Sequence, residues 1–217
     1  MPPLFTASGV FVALEGGEGG GKSTQAGLLV EWLQARGHTV LATREPGGTD
    51  VGAELRRIVL DPATGALSPR TEALVYAADK AEHVDAVVLP ALERGEVVVT
   101  DRYVDSALAY QGAGRAIDAA ELEHVVRWAT ADLRPHLTVV LDVDPTVGLG
   151  RAGSPDRIES EPLEFHRRVR QHFLDLAAAD PEHYLVVDAS LPAEQAHAAV
   201  REALEPWLEQ ARMETAR

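Results

Sequence analysis

The sequence predicts an α/β domain of three layers, in which helices cover both faces of a five-stranded parallel β-sheet. Short apolar runs rich in β-branched residues alternate along the chain with longer segments of helical periodicity. Most of the runs are apolar throughout rather than alternating, which is typical of strands buried on both faces of a parallel sheet. Strands that alternate with helices indicate the crossover connections that such a sheet requires.

Each element follows from a local pattern. The expected strands are the runs at 10–14, 39–42, 97–100, 137–141 and 184–187, and helical patterns lie at 22–36, 70–94, 118–131, 160–179 and 193–210. Gly37 and Gly95 stand where a glycine commonly ends a helix. The sequence has no internal repeat and no linker, so we interpret residues 1–217 as a single domain.

Composition excludes several classes of protein. The 217 residues include no cysteine, which excludes disulfides, thiol catalysis and Cys-ligated zinc. The net charge is −14, from 20 basic and 34 acidic residues, so we expect no nucleic acid and no anionic membrane as a partner. The sequence contains no apolar run of the roughly 20 residues that span a bilayer. The first ten residues also have no basic residue of the kind a signal peptide needs, and we expect a cytoplasmic protein.

Polar residues follow four of the predicted strands. They lie at 15–16, 43–48, 101–103 and 142–144. Ligands of parallel sheets bind beyond the carboxyl ends of the strands. These residues are therefore the first candidates for a binding site for a polar ligand.

The segment after the first strand matches a phosphate-binding loop. It reads Gly-Gly-Glu-Gly-Gly-Gly-Lys-Ser at 16–23, between a strand and a helix, which is the context that the G-x-x-x-x-G-K-[ST] pattern requires. Glycines allow the backbone to approach phosphate oxygens closely, and the helix start adds its positive dipole end. Lys22 is expected to contact the β- and γ-phosphates and Ser23 to ligate Mg²⁺. The alternative is a glycine-rich loop that forms only a tight turn.

A phosphate loop by itself fits a kinase, a GTPase or a mechanical ATPase. The sequence has no Asn/Thr-Lys-x-Asp segment to read guanine. Arg44, Arg56, Lys80 and Arg102 lie on separate segments that a parallel sheet would bring to one edge. Converging cations suit a second phosphorylated substrate, because phosphoryl transfer between anions depends on positioning and charge screening. The pattern favours a nucleoside monophosphate kinase.

Over nearly its whole length the chain resembles the bacterial thymidylate kinases, a family of P-loop nucleoside monophosphate kinases. The resemblance rests on the loop at 11–24, Thr-Arg-Glu-Pro-Gly-Gly-Thr at 43–49, Tyr-Ala-Ala-Asp-Lys at 76–80, Asp-Arg-Tyr at 101–103, Ala-Tyr-Gln-Gly at 109–112 and Asp-Arg-Ile-Glu at 156–159. It implies the P-loop kinase fold with a short lid at about 150–160. It also implies ATP and dTMP as substrates, Mg²⁺ as the cofactor and a homodimer.

The resemblance also assigns roles to individual residues. ATP would bind Gly16, Gly17, Glu18, Gly19, Gly20, Gly21, Lys22, Ser23 and Thr24, and Mg²⁺ would be held by Ser23 and Asp101. The residues expected to bind dTMP are Glu18, Arg44, Pro46, Arg56, Tyr76, Lys80, Arg102, Tyr110 and Gln111. The expected catalytic residues are Lys22, Arg102 and the lid arginines Arg151 and Arg157.

Two positions depart from the family pattern. Lys80 stands where the family usually has an arginine that contacts the thymine carbonyl, and Ala107 replaces a polar residue near the base. These positions keep a kinase of relaxed base choice as an alternative, and a nucleotide-binding regulator without activity is another. Glu18 could instead be a solvent-facing carboxylate, and Tyr76 a core aromatic. His124, His166 and His172 show no metal-binding spacing and are expected at the surface.

Overall fold

A computed structural model describes residues 5–6, 8–151 and 156–215 of the chain. Its centre is a parallel sheet of five strands in the order β2-β3-β1-β4-β5. The strands are β1 (Val10–Glu15), β2 (Val40–Arg44), β3 (Val97–Asp101), β4 (Leu137–Asp142) and β5 (Tyr184–Asp188). The five predicted strands are thus confirmed, and most extend one residue further at their carboxyl ends.

Helices cover both faces of the sheet, so the predicted three-layer α/β/α architecture is confirmed. In chain order they are α1 (Lys22–Ala35), α2 (Asp50–Leu60), α3 (Pro69–His83), α4 (Leu89–Glu93), α5 (Val104–Ala107), α6 (Ala119–Ala129), α7 (Pro145–Arg151), α8 (Leu163–Ala179) and α9 (Ala193–Thr215). Helices α1 and α9 pack on one face, against the side chains of Val10, Val12 and Leu14. Helices α3, α4, α5 and α6 pack on the other, against Phe11 and Ala13.

Strand β1 lies at the centre of the sheet because its first five side chains, on both of its faces, are apolar. All six of its residues are buried, and Leu14 pairs with Asp101 of β3 in the parallel register. On the next strand out, Arg44 of β2 also pairs with Asp101. The register therefore places the polar ends of β1, β2 and β3 side by side at the carboxyl edge of the sheet.

The helical pattern predicted at 70–94 is confirmed, because the chain is helical without a break from Pro69 to Glu93. The segment divides into α3, a π-helical turn at Val84–Val88 and α4. Pro90 enters the first turn of α4, where its missing N–H costs least. Gly37 and Gly95 follow α1 and α4 with φ angles of 83° and 78°, as expected for glycines that end helices.

Sequence patterns did not predict α2, α5 or α7. Helix α2 begins after Thr49, whose side chain accepts a hydrogen bond from the amide of Gly52 at 2.9 Å. A Cβ atom on Gly52 would lie 2.6 Å from Oδ1 of Asp79 on α3, so the glycine that weakens the helical pattern permits the close packing of α2 on α3. Across the described ranges, the helices are all too short or too polar to cross a bilayer.

Candidate active site

The loop that joins β1 to α1 depends on glycine for its backbone path. Gly16 has a φ angle of 126° and Gly19 one of 65°, a region that side chains disfavour. A Cβ atom would lie 2.4 Å from the carbonyl oxygen of Leu141 at Gly16, and 2.2 Å from that of Gly148 at Gly19. The backbone of this phosphate loop therefore packs directly on β4 and α7, with no room for side chains there.

Lys22 opens α1 and directs its side chain back over the phosphate loop. Its Nζ donates to the carbonyl oxygens of Gly16, at 3.1 Å, and Gly17, at 2.6 Å. The residue is only 8% exposed, and burial, followed by the charge of Arg102, lowers the pKa of Lys22 to about 8. A buried ammonium beside another cation is stabilised by a bound anion. Thr24, in the same first turn, is exposed.

Ser23 and Asp101 form a pair of oxygen ligands that suits Mg²⁺. The Ser23 hydroxyl donates to Oδ2 of Asp101 at 2.9 Å, and both residues line the same cavity. Mg²⁺ in phosphoryl-transfer sites takes one or two protein oxygens and completes its shell with water and phosphate. In the part of the chain that the structure describes, no cluster of three or more His, Cys, Asp or Glu residues could hold a metal. The pair therefore fits a magnesium ion that is shared with a phosphate ligand.

A cavity of about 710 Å³ opens at the carboxyl edge of the sheet. It extends from the phosphate loop to α3 and the segment after β3. The predicted site residues that line it are Glu18, Gly19, Lys22, Ser23, Arg44, Pro46, Arg56, Tyr76, Asp101, Arg102, Tyr110 and Gln111. The other predicted loop residues, Gly16, Gly17, Gly20, Gly21 and Thr24, belong to the phosphate loop and the first turn of α1. Lys80, Arg151 and Arg157 also do not line the cavity and are described below.

Arg102 connects the phosphate loop to this cavity. Its Nη1 donates to the carbonyl oxygen of Gly16 and to Oγ of Ser106, both at 3.1 Å. The guanidinium lies 5.0 Å from the ring centre of Tyr110. The backbone of Arg102 has a φ angle of 71°, a conformation that costs a non-glycine residue free energy and is concentrated at functional sites. The fold therefore holds this arginine at the junction between the two predicted phosphate sites.

Two more arginines face the same region. Arg56 donates from Nη1 to the carbonyl oxygen of Pro46 at 3.0 Å, and Arg44 is exposed at the end of β2. Burial, followed by the charge of Arg44, lowers the pKa of Arg56, and Arg102 adds to this effect. Guanidinium groups that repel one another across a cavity favour an anion between them.

Glu18 is a largely buried carboxylate of the phosphate loop, and it has three polar partners. Its Oε1 accepts from the Tyr110 hydroxyl at 2.5 Å and from Arg102 at 3.4 Å, and its Oε2 lies 3.2 Å from Nδ1 of His166. Burial would raise the pKa of Glu18, but the hydrogen bond from His166 and the charge of Arg102 hold it at about 2. Glu18 is therefore ionised and fixed in position, and it is not the solvent-facing carboxylate that the sequence left as an alternative.

The far end of the cavity suits a planar ring. Tyr76 and Ala107 line it, together with Gln111, which is 1% exposed. Nε2 of Gln111 donates to Oε1 of Glu72 at 2.9 Å. An aromatic side chain, a small apolar residue and an amide supply the stacking surface, space and hydrogen-bonding group that a nucleobase needs.

The structure does not bring Lys80 to the cavity, which corrects the prediction that it contacts the base. Lys80 is 1% exposed, and its Nζ lies 2.5 Å from Oε2 of Glu45. Oε1 of the same carboxylate lies 2.8 Å from Nδ1 of His83. A buried carboxylate attracts the ammonium more strongly than a neutral base would, so Lys80 belongs to an internal ion pair.

The two arginines of the predicted lid occupy different places, and residues 152–155 between them lie outside the described residues. Arg151 donates to the carbonyl oxygen of Gly19 in the phosphate loop at 3.0 Å. Arg157 instead donates to the carbonyl oxygen of Val59 at 2.7 Å and lies 2.5 Å from Oε2 of Glu72. In this arrangement the Arg157 guanidinium joins α2 to α3, and the catalytic role expected of Arg157 stays a prediction.

Sequence reasoning missed two residues at this site. His166, expected at the surface, is 3% exposed and contacts Glu18. Glu72, which no motif singled out, is fully buried and binds Gln111. The signal for Glu72 was available, because it lies one helical turn before Tyr76 on the same helix face. His124 is exposed as expected, and His172 is half-buried.

Known proteins of one family are similar to this chain in both sequence and fold. A family model for thymidylate kinases matches residues 14–200. The thymidylate kinase of Cutibacterium acnes is 55% identical over 194 residues, which cover 89% of this chain and 95% of that protein. That of Clavibacter sepedonicus is 56% identical over 198 residues, covering 89% of this chain and 93% of that protein.

The fold gives the same result. The crystal structure of a thymidylate kinase from Ehrlichia chaffeensis superposes with a TM-score of 0.77, at 30% identity, over 91% of this chain and 99% of that one. The P-loop kinase fold that the motifs implied is therefore confirmed. With the family model matching most of its length, the chain belongs to the thymidylate kinase family.

Proposed function

We infer that this protein is a dTMP kinase, which converts ATP and dTMP into ADP and dTDP and so supplies the precursor of dTTP. The observation that carries this inference within the structure is the position of Arg102, between the carbonyl oxygen of Gly16 and a cavity that Arg44 and Arg56 also face. An enzyme that only hydrolyses a nucleotide has no need of a second cluster of cations beside its phosphate loop.

The residues of the chain divide the reaction between two phosphate sites. The phosphate loop and Lys22 bind the β- and γ-phosphates of ATP, and Arg102 with Arg56 and Arg44 binds the phosphate of dTMP. An oxygen of the dTMP phosphate attacks the γ-phosphorus, and the bond from that phosphorus to the β–γ bridging oxygen breaks, which releases ADP. The attacking phosphate is already ionised at neutral pH, so the chain needs no side chain as a general base.

Mg²⁺ is proposed as the cofactor, held by Ser23 and Asp101. When bound, the metal ion neutralises part of the charge that develops on the phosphate oxygens. Arg151 is the residue proposed to add positive charge at the ATP side, because it already contacts the backbone of the phosphate loop at Gly19.

The nucleoside of dTMP would lie along the remaining wall of the cavity. Tyr76 would stack on the base and Gln111 would bind its edge, while Pro46 contributes to the same wall. Glu18 and Tyr110, joined by their 2.5 Å hydrogen bond, would lie beside the sugar. A carboxylate near the 3′-hydroxyl leaves little space for a 2′-hydroxyl, which favours deoxynucleotides.

The test is coupled ADP release with ATP, Mg²⁺ and a panel of dTMP, dUMP, dCMP, dAMP, dGMP and UMP. Turnover that is fast with dTMP and slower with dUMP is the expected result. Similar rates across the panel would make the protein a kinase of broad base choice, and no turnover with any acceptor would make it a nucleotide-binding regulator. Arg102→Ala should lose turnover while ATP still binds, and unchanged turnover would contradict the acceptor site.

We also propose a homodimer formed through α2, α3 and α6. Helix α2 packs on α3, and α3 packs on α6. Each helix has one large apolar side chain that is mostly exposed to solvent: Val51 is 52% exposed, Leu74 59% and Trp128 81%. Light scattering should give twice the mass of the chain, and a monomeric mass would contradict this proposal. The cytoplasmic location expected from the sequence stays a prediction.

A further inference from the structure

Glu72 is a buried carboxylate with an unusual number of polar partners. It lies in the first turn of α3 and has no exposed surface. Arg115 donates to both of its oxygens at 3.1 Å, and Arg157 lies 2.5 Å from Oε2. Burial would raise the pKa of Glu72, but the hydrogen bonds from Arg115 and Gln111 lower it. Glu72 is therefore an ionised group that can only accept hydrogen bonds.

This property fixes the orientation of the Gln111 amide. An amide side chain can rotate by 180°, which exchanges its oxygen and its nitrogen, and neighbouring groups decide between the two orientations. Nε2 of Gln111 donates to Oε1 of Glu72 at 2.9 Å. After the exchange, Oε1 of Gln111 would face a carboxylate oxygen, with no hydrogen between two acceptors. Glu72 therefore holds Gln111 in one orientation.

The orientation of Gln111 matters because this residue also lines the cavity. Nε2 carries two hydrogens, of which one is bound to Glu72. The other hydrogen and the neighbouring Oε1 remain as a donor and an acceptor for a ligand. An amide that is fixed in this way offers its donor and its acceptor at two defined positions.

Pyrimidine bases differ in the pattern that they present to such an amide. Thymine and uracil carry a donor at N3 beside an acceptor at O4, whereas cytosine carries an acceptor at N3 beside a donor at N4. The two patterns are inverted, so an amide in one orientation matches the first and an amide in the other orientation matches the second. A glutamine free to rotate would accept both.

We propose that Glu72 is a positioning residue for base selection: by holding the amide of Gln111 in one orientation, it favours thymine over cytosine in the acceptor cavity. This inference rests on the proposed function and adds to it a residue that does not touch the substrate. It also supplies a means of selecting against cytosine in a chain whose Lys80 is bound to Glu45.

Glu72→Gln is the variant that tests it. A glutamine at position 72 keeps the size of the side chain and can either donate or accept, so both orientations of Gln111 become satisfied. We expect the ratio of kcat/KM for dTMP over dCMP to fall about tenfold, the value of one hydrogen bond. The change should appear as a higher KM for dTMP and a lower KM for dCMP, with kcat for dTMP altered by less than about twofold.

A double-mutant cycle separates this role from a structural one. In a Gln111→Ala background, Glu72→Gln should leave the dTMP/dCMP ratio unchanged, because the amide through which it acts is absent. Arg115→Gln is the matched control, since it removes a partner of Glu72 and leaves the Gln111 bond in place. It should lower the melting temperature without changing the ratio. If the Glu72→Gln variant does not fold, the double variant Glu72→Gln/Arg115→Gln is used in its place, and its dTMP/dCMP ratio is compared with that of Arg115→Gln alone.

The outcomes are distinct. A native protein that does not phosphorylate dTMP overturns the proposed function, and this inference with it. A native protein active on dTMP, with the same base ratio in folded Glu72→Gln, overturns only the inference. An equal change of ratio with and without Gln111 also overturns it, because Glu72 would then act by another route.

Discussion

His166 on α8 and Glu18 in the phosphate loop are joined by a 3.2 Å contact between Nδ1 and Oε2. The two residues are far apart in the sequence, and α8 follows the predicted lid. Because the hydrogen bond from His166 is the largest of the interactions that lower the pKa of Glu18, the histidine helps to keep this loop carboxylate ionised and in place beside Arg102 and Tyr110.

Replacement of His166 by alanine should weaken both stability and turnover. We expect His166→Ala to reduce the free energy of unfolding by about 1–3 kcal/mol, the cost of leaving a buried charged group short of a hydrogen bond. The kcat/KM for dTMP should fall as well, because Glu18 would lose one of its supports. Urea denaturation and steady-state kinetics measure the two effects. His172→Ala, at a half-buried position on the same helix, is the control, and equal losses in both variants would contradict a specific role for His166.

The low pKa of Glu18 gives its stabilising effect a defined pH range. The pKa is about 2 in the folded protein against an ordinary value of 4.5, so the carboxylate stabilises the fold above pH 4.5 and the effect is lost as the pH falls towards 2. The full difference corresponds to about 3 kcal/mol. Urea denaturation of the protein and of Glu18→Gln should therefore differ most near pH 6. The gap should narrow as the pH is lowered to 3, and a gap independent of pH would contradict the assignment.

The strands and the phosphate loop could be predicted because local sequence determines them. Apolar runs such as 10–14 must be buried on both sides wherever they lie, and the glycine pattern at 16–23 satisfies both a tight backbone path and a phosphate site. The edge of the sheet that carries the site followed from the parallel order of the strands. The sequence therefore predicts that Arg44, Arg56, Lys80 and Arg102 lie at one edge, and of these four Arg44, Arg56 and Arg102 line the cavity.

The partners of buried charges could not be predicted in this way. Lys80 lies one helical turn after Tyr76, and this spacing alone suggests that both side chains reach the base. Lys80 instead forms an ion pair with Glu45, and Arg157 forms one with Glu72. In both cases the deciding carboxylate is distant in the sequence, so its effect depends on how α3 packs against the segments around it.

Lys80 should therefore be more important for stability than for base choice. Lys80→Met removes the ammonium partner of the buried Glu45 carboxylate and leaves it with its contact to His83. We expect a loss of about 3–5 kcal/mol in the free energy of unfolding. Lys80→Met combined with Glu45→Gln should recover part of this loss, because the uncompensated charge is removed. Urea denaturation at pH 7 provides the measurement. Arg70→Met, an exposed cation on the same helix, should cost less than about 0.5 kcal/mol, and a similarly small loss for Lys80→Met would show that the ion pair contributes little.

Replacement of Arg151 by alanine should reduce turnover, whereas replacement of Arg157 by alanine should reduce stability. Arg151 is exposed and contacts the phosphate loop at Gly19, so Arg151→Ala should lower kcat about 10- to 100-fold, somewhat less than the loss of a buried charge-stabilising donor, with the melting temperature unchanged. Arg157 is bound to Glu72 and to the carbonyl oxygen of Val59. Arg157→Ala should lower the free energy of unfolding by about 1–3 kcal/mol, which is several degrees in melting temperature for a chain of this size. Steady-state kinetics at saturating ATP and dTMP, together with thermal melts, distinguish the two. A large loss of kcat in Arg157→Ala without a change in melting temperature would instead support the catalytic role predicted for Arg157, because an arginine that only joins α2 to α3 cannot affect turnover and leave stability unchanged.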